Sequence, residues 1–153
     1  VWHQDADRRR ARLMRFVLDN SVVMRWLLQE GSGDRLTYAA KVLDILTQEG
    51  SEALVPGIWA LEVANVMLKA QAKSLVSEAR GAAFVGLLQD MAIIADPHTA
   101  DHALSDTLQL ARRFKLSSYD ASYLELAMRE GLALATLDED LRRAMLQTGV
   151  ALV

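Results

Sequence analysis

The 153-residue chain is 52% hydrophobic with eight glycines and two prolines, which excludes a disordered or fibrous polypeptide and sets the expectation of one domain with one substantial core. It contains no cysteine, so a disulfide scaffold, thiolate catalysis and cysteine-ligated zinc are excluded, and a reducing, cytoplasmic location is expected. With 17 basic against 20 acidic residues the net charge is −3, so binding to nucleic acid would have to rest on local basic clusters rather than bulk charge.

In chain order, residues 1–13 are polar and Arg-rich and read as an N-terminal extension, foreign or upstream in origin; a basic arm of Arg8, Arg9, Arg10 and Arg12 is the functional alternative. The domain proper is expected over residues 14–153. Short aliphatic runs at Phe16–Leu18, Ala53–Val55, Met91–Ala95, Leu132–Thr136 and Val150–Val153 read as strands. Between them, helical spacing covers Ser21–Leu28, Arg35–Gln48, Trp59–Lys73, Ser77–Asp90, Thr99–Phe114, Tyr119–Glu130 and Asp138–Gln147. Breaks fall at Gly31, Gly33, Gly50, Pro56-Gly57, Pro97, Gly131 and Gly149. This β-α-β-α rhythm predicts an α/β fold, a mainly parallel sheet covered by helices on both faces. No apolar run reaches the roughly 18–20 residues of a membrane span, and no secretory h-region follows the charged amino terminus, so no membrane association is expected.

Four acids interrupt or end apolar runs. Asp19 follows Phe16-Val17-Leu18, Glu62 lies between Leu61 and Val63, Asp120 precedes Ala121-Ser122-Tyr123-Leu124, and Asp138 follows Leu134-Ala135-Thr136-Leu137. Desolvating an ionised carboxylate is costly unless it is paired, hydrogen-bonded or bound to a cation, and a divalent metal is the simplest shared partner. In a parallel sheet the carboxyl ends of strands line the ligand crevice, which would bring Asp19 and Asp138 to one edge. Glu62, Asn65 and Lys69 would form a polar stripe on an otherwise apolar, buried helix. Helix capping explains three of the acids one at a time: Ser117 with Asp120, Thr136 to Glu139 with Asp138 inside the first turn, and Asp19 or Ser21 before the first helix. Glu62, in mid-helix, is left to a pairing with Lys69 or Arg25.

Other chemistries find less support. His98 and His102 at i, i+4 would share a helix face able to take Zn²⁺ or Ni²⁺, but no Glu follows His98 as in metalloproteases. No glycine-rich phosphate loop occurs, and the pattern of a phosphoacceptor receiver is missing. Trp26, Trp59, Met67 and Met91 are expected to pack in the core, with partner or dimer surfaces as the alternative.

Four segments together resemble the PIN-domain nucleases, and among them the VapC-type toxins of toxin–antitoxin pairs. These are Phe16-Val17-Leu18-Asp19-Asn20-Ser21, Trp59-Ala60-Leu61-Glu62-Val63-Ala64-Asn65, Leu116 to Ala127, and Leu134-Ala135-Thr136-Leu137-Asp138. The resemblance spans Met14 to Val153 and implies a PIN-like α/β/α sandwich. It implies that Asp19, Glu62, Asp120 and Asp138 are the catalytic, metal-binding quartet, with Ser21 and Thr136 as supporting hydroxyls. Asn20 stands where many relatives carry Thr or Ser, and Asp140 competes with Asp138 for the fourth position. The implied activity is an Mg²⁺- or Mn²⁺-dependent ribonuclease that cleaves RNA through a metal-activated water. The implied partners are an RNA substrate, a cognate antitoxin protein and a second copy in a homodimer. Lys69, Lys73, Arg112, Arg113, Arg142 and Arg143 are candidate phosphate contacts. A catalytically silent PIN-like module binding a protein or RNA is the alternative.

Overall fold

The computed structural model describes residues 14–29 and 31–153. The expected N-terminal extension, residues 1–13 with its arginine cluster, lies outside the described residues.

The centre of the fold is β1 (Arg15–Leu18), whose Phe16, Val17 and Leu18 are all without solvent exposure. A strand with both faces covered needs apolar residues at every position, which is what distinguishes it from an alternating surface strand. β1 pairs in parallel with β2 (Glu52–Val55) on one edge and with β4 (Leu134–Ala135) on the other, while β2 carries β3 (Ile93–Ala95). The order is β3-β2-β1-β4, all parallel. The strand expected over Leu132–Thr136 shortens to two residues, and the one expected over Val150–Val153 is a single parallel bridge from Leu152 to Leu134.

The helices are α1 (Asn20–Leu28), α2 (Gly33–Leu46), α3 (Trp59–Ala72), α4 (Glu78–Asp90), α5 (Thr99–His102), α6 (Leu108–Phe114), α7 (Ser118–Glu130) and α8 (Glu139–Thr148). The helix expected over Thr99–Phe114 is divided by a π turn, Ala103–Thr107, between α5 and α6. A turn one residue wider leaves the apolar spacing nearly unchanged, so periodicity does not reveal it. Ser32, Ser77 and Ser117 cap α2, α4 and α7 through bonds to Arg35, Arg80 and Asp120 N–H.

Alternation along β1 builds two cores. Phe16 and Leu18, with Ala53, Val55 and Ala135, face Val22, Val23, Val63, Met67 and Phe84. Val17, Leu54 and Leu134 face Tyr123, Leu124, Leu141 and Met145 on α7 and α8. Met67 is buried, and Trp26, Trp59 and Met91 pack against the first core as expected. α3 departs from expectation: it is a surface helix. Only Val63, Met67 and Ala70 of it are buried, and Leu61 and Leu68 stay 74% and 65% exposed. One layer of helices covers each sheet face, so a largely apolar helix still turns one side to solvent.

Candidate metal centre

β1 leads to β2 and β3 on one side, and β4 returns on the other, so the strand order reverses between β1 and β4. That reversal opens a crevice at the carboxyl ends of the two strands. Leu18 is paired with Ala135 there, and Asp19 N–H continues the ladder to Ala135 O at 2.9 Å. The residues just beyond, Asp19 and Thr136, therefore meet although far apart in sequence.

Asp19 holds the N-cap position of α1 without capping it by its side chain. Its Oδ2 instead accepts from Ser21 Oγ at 2.6 Å and Thr136 Oγ1 at 2.7 Å. Each hydroxyl also accepts a backbone N–H: Ser21 Oγ from Leu137 at 3.0 Å and Thr136 Oγ1 from Asp138 at 3.0 Å. Because a hydroxyl has one proton, accepting from the backbone directs that proton to Asp19. Asp19 is 5% exposed and Thr136 0%. Burial raises the Asp19 pKa, the two hydroxyls oppose the rise, and the charge of Asp138 adds to it.

Glu62 stands in the first turn of α3, not in mid-helix as expected, because the helix starts at Trp59, and its Oε1 accepts from the Tyr123 hydroxyl at 2.6 Å. Its pKa is raised by burial, opposed by Tyr123, and raised further by Asp19 and Asp120. Asp120 enters on the first turn of α7, its N–H donating to Ser117 Oγ at 3.0 Å. Burial raises its pKa, and so do Asp19 and Asp138. Asp138 is itself the N-cap of α8, Oδ1 accepting Leu141 N–H at 2.8 Å, which corrects the expected box with Asp138 inside the first turn. The cap uses one carboxylate oxygen and leaves the other to the crevice. Capping and ligand duty are thus compatible at Asp138.

The structure brings all four predicted acids and both hydroxyls into one electrostatic cluster. The quartet is a looser ring: among the described residues, the ligand-type side chains with donor atoms all within 4.8 Å of one another are His102, Asp106 and Glu125, elsewhere in the fold. All-oxygen donors with pKa values raised by burial and by one another fit a hard divalent cation such as Mg²⁺ or Mn²⁺. Asp140 pairs with Arg143 on the exposed face of α8, so Asp138 is the acid whose charge reaches Asp19 and Asp120.

Sequence reasoning missed Tyr123 and the Tyr38–Arg142 prop. Tyr123 is fully buried, and burial with Asp19 and Glu62 nearby drives its pKa far upward, which keeps it a proton donor to Glu62. The available signal was its spacing, three residues after Asp120 on the same helix face. Arg142 Nε donates to Thr136 O at 2.8 Å, and its guanidinium lies 5.0 Å from the Tyr38 ring centre. Arg142 therefore braces the end of β4 through Nε. His98 and His102 do not act as a pair: His98 Nδ1 meets Asp101 at 3.0 Å, and His102 faces Asp106 and Glu125.

The PIN domain profile matches residues 16–145. Among solved structures, the crystal structure of PAE2754 from Pyrobaculum aerophilum has the same fold with a TM-score of 0.61 and 20% sequence identity, covering 87% of this chain and 80% of that one. No curated protein matches the chain.

Proposed function

We propose, from the premise that this chain belongs to the PIN domain family, a nuclease fold, that it is a metal-dependent endoribonuclease acting as the toxin of a toxin–antitoxin pair. The observation that carries the nuclease reading is the convergence of Asp19, Glu62, Asp120 and Asp138 at the β1–β4 crevice, three of them raised in pKa by burial first and then by one another's charge. Asp19, Glu62, Asp120 and Asp138 would hold Mg²⁺ or Mn²⁺. A hard cation there supplies charge neutralisation at a phosphodiester and acidifies a coordinated water.

The chain's own residues supply the geometry. Ser21 and Thr136 fix the plane of Asp19 through two short hydrogen bonds. Tyr123 fixes Glu62, and Ser117 and Leu141 N–H fix the helix starts that carry Asp120 and Asp138. A preorganised ring of this kind needs little rearrangement when charge develops on the substrate. The toxin reading rests on the sequence resemblance, and the exposed leucines Leu61 and Leu68 on α3 and Leu87 on α4 support a partner-binding face for an antitoxin or a second copy. A cytoplasmic location is part of the same proposal; no described helix is long and apolar enough to cross a membrane.

The test is cleavage of total cellular RNA by purified protein with Mg²⁺, Mn²⁺ or EDTA, beside Asp19→Asn and Asp120→Asn of confirmed fold. Metal-dependent cleavage lost in both variants is the expected result. Absence of cleavage, or cleavage indifferent to EDTA and to both substitutions, would replace the enzyme by a silent interaction module.

A further inference from the structure

We propose that His102, Asp106 and Glu125 form a second metal site, taking a borderline transition-metal cation such as Zn²⁺ rather than Mg²⁺, which ties the π turn to α7. The site is separate from the carboxylate quartet, and the inference does not depend on the nuclease reading.

His102 Nδ1 lies 3.5 Å from Asp106 Oδ2 and 3.5 Å from Glu125 Oε1. Both separations exceed the roughly 2.7–3.2 Å of an N–H···O hydrogen bond, so the imidazole is near two carboxylates without being well bonded to either. They approach the edge of a coordination tetrahedron instead: bonds of about 2.0–2.1 Å set ligands about 3.3–3.4 Å apart. A cation at the centre of the trio needs a contraction of roughly a tenth or two of an ångström along the two edges that meet at His102, while the two carboxylates, within 4.8 Å of each other, close through the exposed Asp106.

The surroundings suit a ligand. Glu125 is 5% exposed, and Arg129 grips both of its oxygens, Nε to Oε1 at 2.8 Å and one terminal nitrogen to Oε2 at 3.2 Å. That grip fixes the carboxylate plane, and Oε1 keeps a second lone pair toward His102. Arg129 is shared with Asp96, whose Oδ2 it meets at 2.5 Å, so its single charge is divided between two buried acids. A cavity of about 360 Å³ lined by Asp106, Gln109, Arg113, Glu125 and Arg129 adjoins the trio and leaves room for a water as fourth ligand, the two arginines setting the positive charge that the carboxylates must outweigh. The backbone supplies an independent sign. His102 is the residue before the π turn Ala103–Thr107 and Asp106 lies within it, so this rare widening adjusts where those two side chains stand relative to α7. An imidazole nitrogen with two carboxylates favours Zn²⁺ or Co²⁺ over Mg²⁺, which prefers oxygen and water.

The experiment uses the full chain carrying Asp19→Asn and Asp120→Asn, which disables the quartet, in excess Mg²⁺. Co²⁺ is titrated and its visible ligand-field absorption followed, then Zn²⁺ is added. The expected result is one Co²⁺ per chain with a tetrahedral-type band that Zn²⁺ abolishes, and an affinity at least about tenfold weaker after His102→Ala or, separately, Asp106→Asn. Asp106 is largely exposed, so its variant keeps the fold and isolates the ligand role. Absence of the band in the quartet-disabled chain, or its retention by either variant, overturns the site.

Discussion

Thr136→Val tests the claim that the β1–β4 junction is wired through one hydroxyl. The substitution keeps shape and volume but removes a donor to Asp19 at 2.7 Å and an acceptor for Asp138 N–H at 3.0 Å. Losing a hydrogen bond to a charged group costs about 1.5–3 kcal/mol, and stranding a partly buried N–H adds roughly 1 kcal/mol. The expected loss is about 3 kcal/mol against ionised Asp19, the form that alkaline pH favours, and is measured near pH 8. Burial raises the Asp19 pKa, so the deficit shrinks as pH is lowered from 8 toward 5, tending to about 2 kcal/mol once the lost bond is neutral–neutral. For a chain of this length, about 2–4 °C of melting temperature per kcal/mol makes the alkaline deficit roughly 6–12 °C. Thr136→Ser keeps the hydroxyl and loses one buried methyl, for about 1 kcal/mol. Urea unfolding in EDTA at both pH values measures all three proteins. A Val variant as stable as the parent, a deficit equal at the two pH values, or a Ser variant worse than Val refutes the reasoning.

Tyr123→Phe leaves Glu62 without its donor, so the Glu62 pKa rises further; metal-dependent cleavage should weaken and its pH profile shift to alkaline, and an unchanged profile removes Tyr123 from the site. In metal-free protein, the raised Asp19, Glu62 and Asp120 bind protons more tightly folded than unfolded, so their stabilising contribution is complete below about pH 4 and is lost as pH rises through the raised values. Saturating Mg²⁺ should therefore raise the melting temperature more near pH 8 than near pH 5, and scanning calorimetry showing the reverse order contradicts the assignment. Asp120→Asn removes one mutually repelling charge, and the metal-free variant should melt above the parent at neutral pH while losing cleavage; a lower melting temperature sinks the repulsion account. Arg129→Met strands buried Asp96 and Glu125 and should cost about 3–5 kcal/mol in urea unfolding, a loss under 1 kcal/mol showing that the pair is not a buried bridge.

Much of this arrangement was legible because local and global signals agree. Phe16-Val17-Leu18 has no polar residue to turn outward, so a fully covered parallel strand was the consistent reading, and the acid after it had to lie at the strand end. Glu62 stood out because of its apolar neighbours Leu61 and Val63; the helix in fact starts at Trp59, which puts the residue in the first turn and not in mid-helix. What stayed hidden depends on contacts across the fold. The partner of Glu62 is Tyr123, 61 residues away, and no spacing announces a hydrogen bond over that distance. Arg142 read as a surface cation because nothing local places Tyr38 beneath it. α3 read as buried because its composition is apolar; which faces a neighbour covers is decided by tertiary packing, and Leu61 and Leu68 were left outside. The π turn differs from an α turn by one residue per turn, below the resolution of apolar periodicity.

The position of β4 in the sheet has a consequence for synthesis. β1 is made first, yet its second edge is filled only by Leu134 and Ala135, and the bond from Thr136 to Asp19 spans 117 residues. A growing chain that has already paired β1, β2 and β3 still lacks Thr136, Asp138 and the donors that orient Asp19. The crevice therefore stays chemically incomplete on the ribosome until the β4 segment emerges and docks. For a protein proposed to cut RNA, that ordering keeps a half-made molecule from acting on the machinery making it.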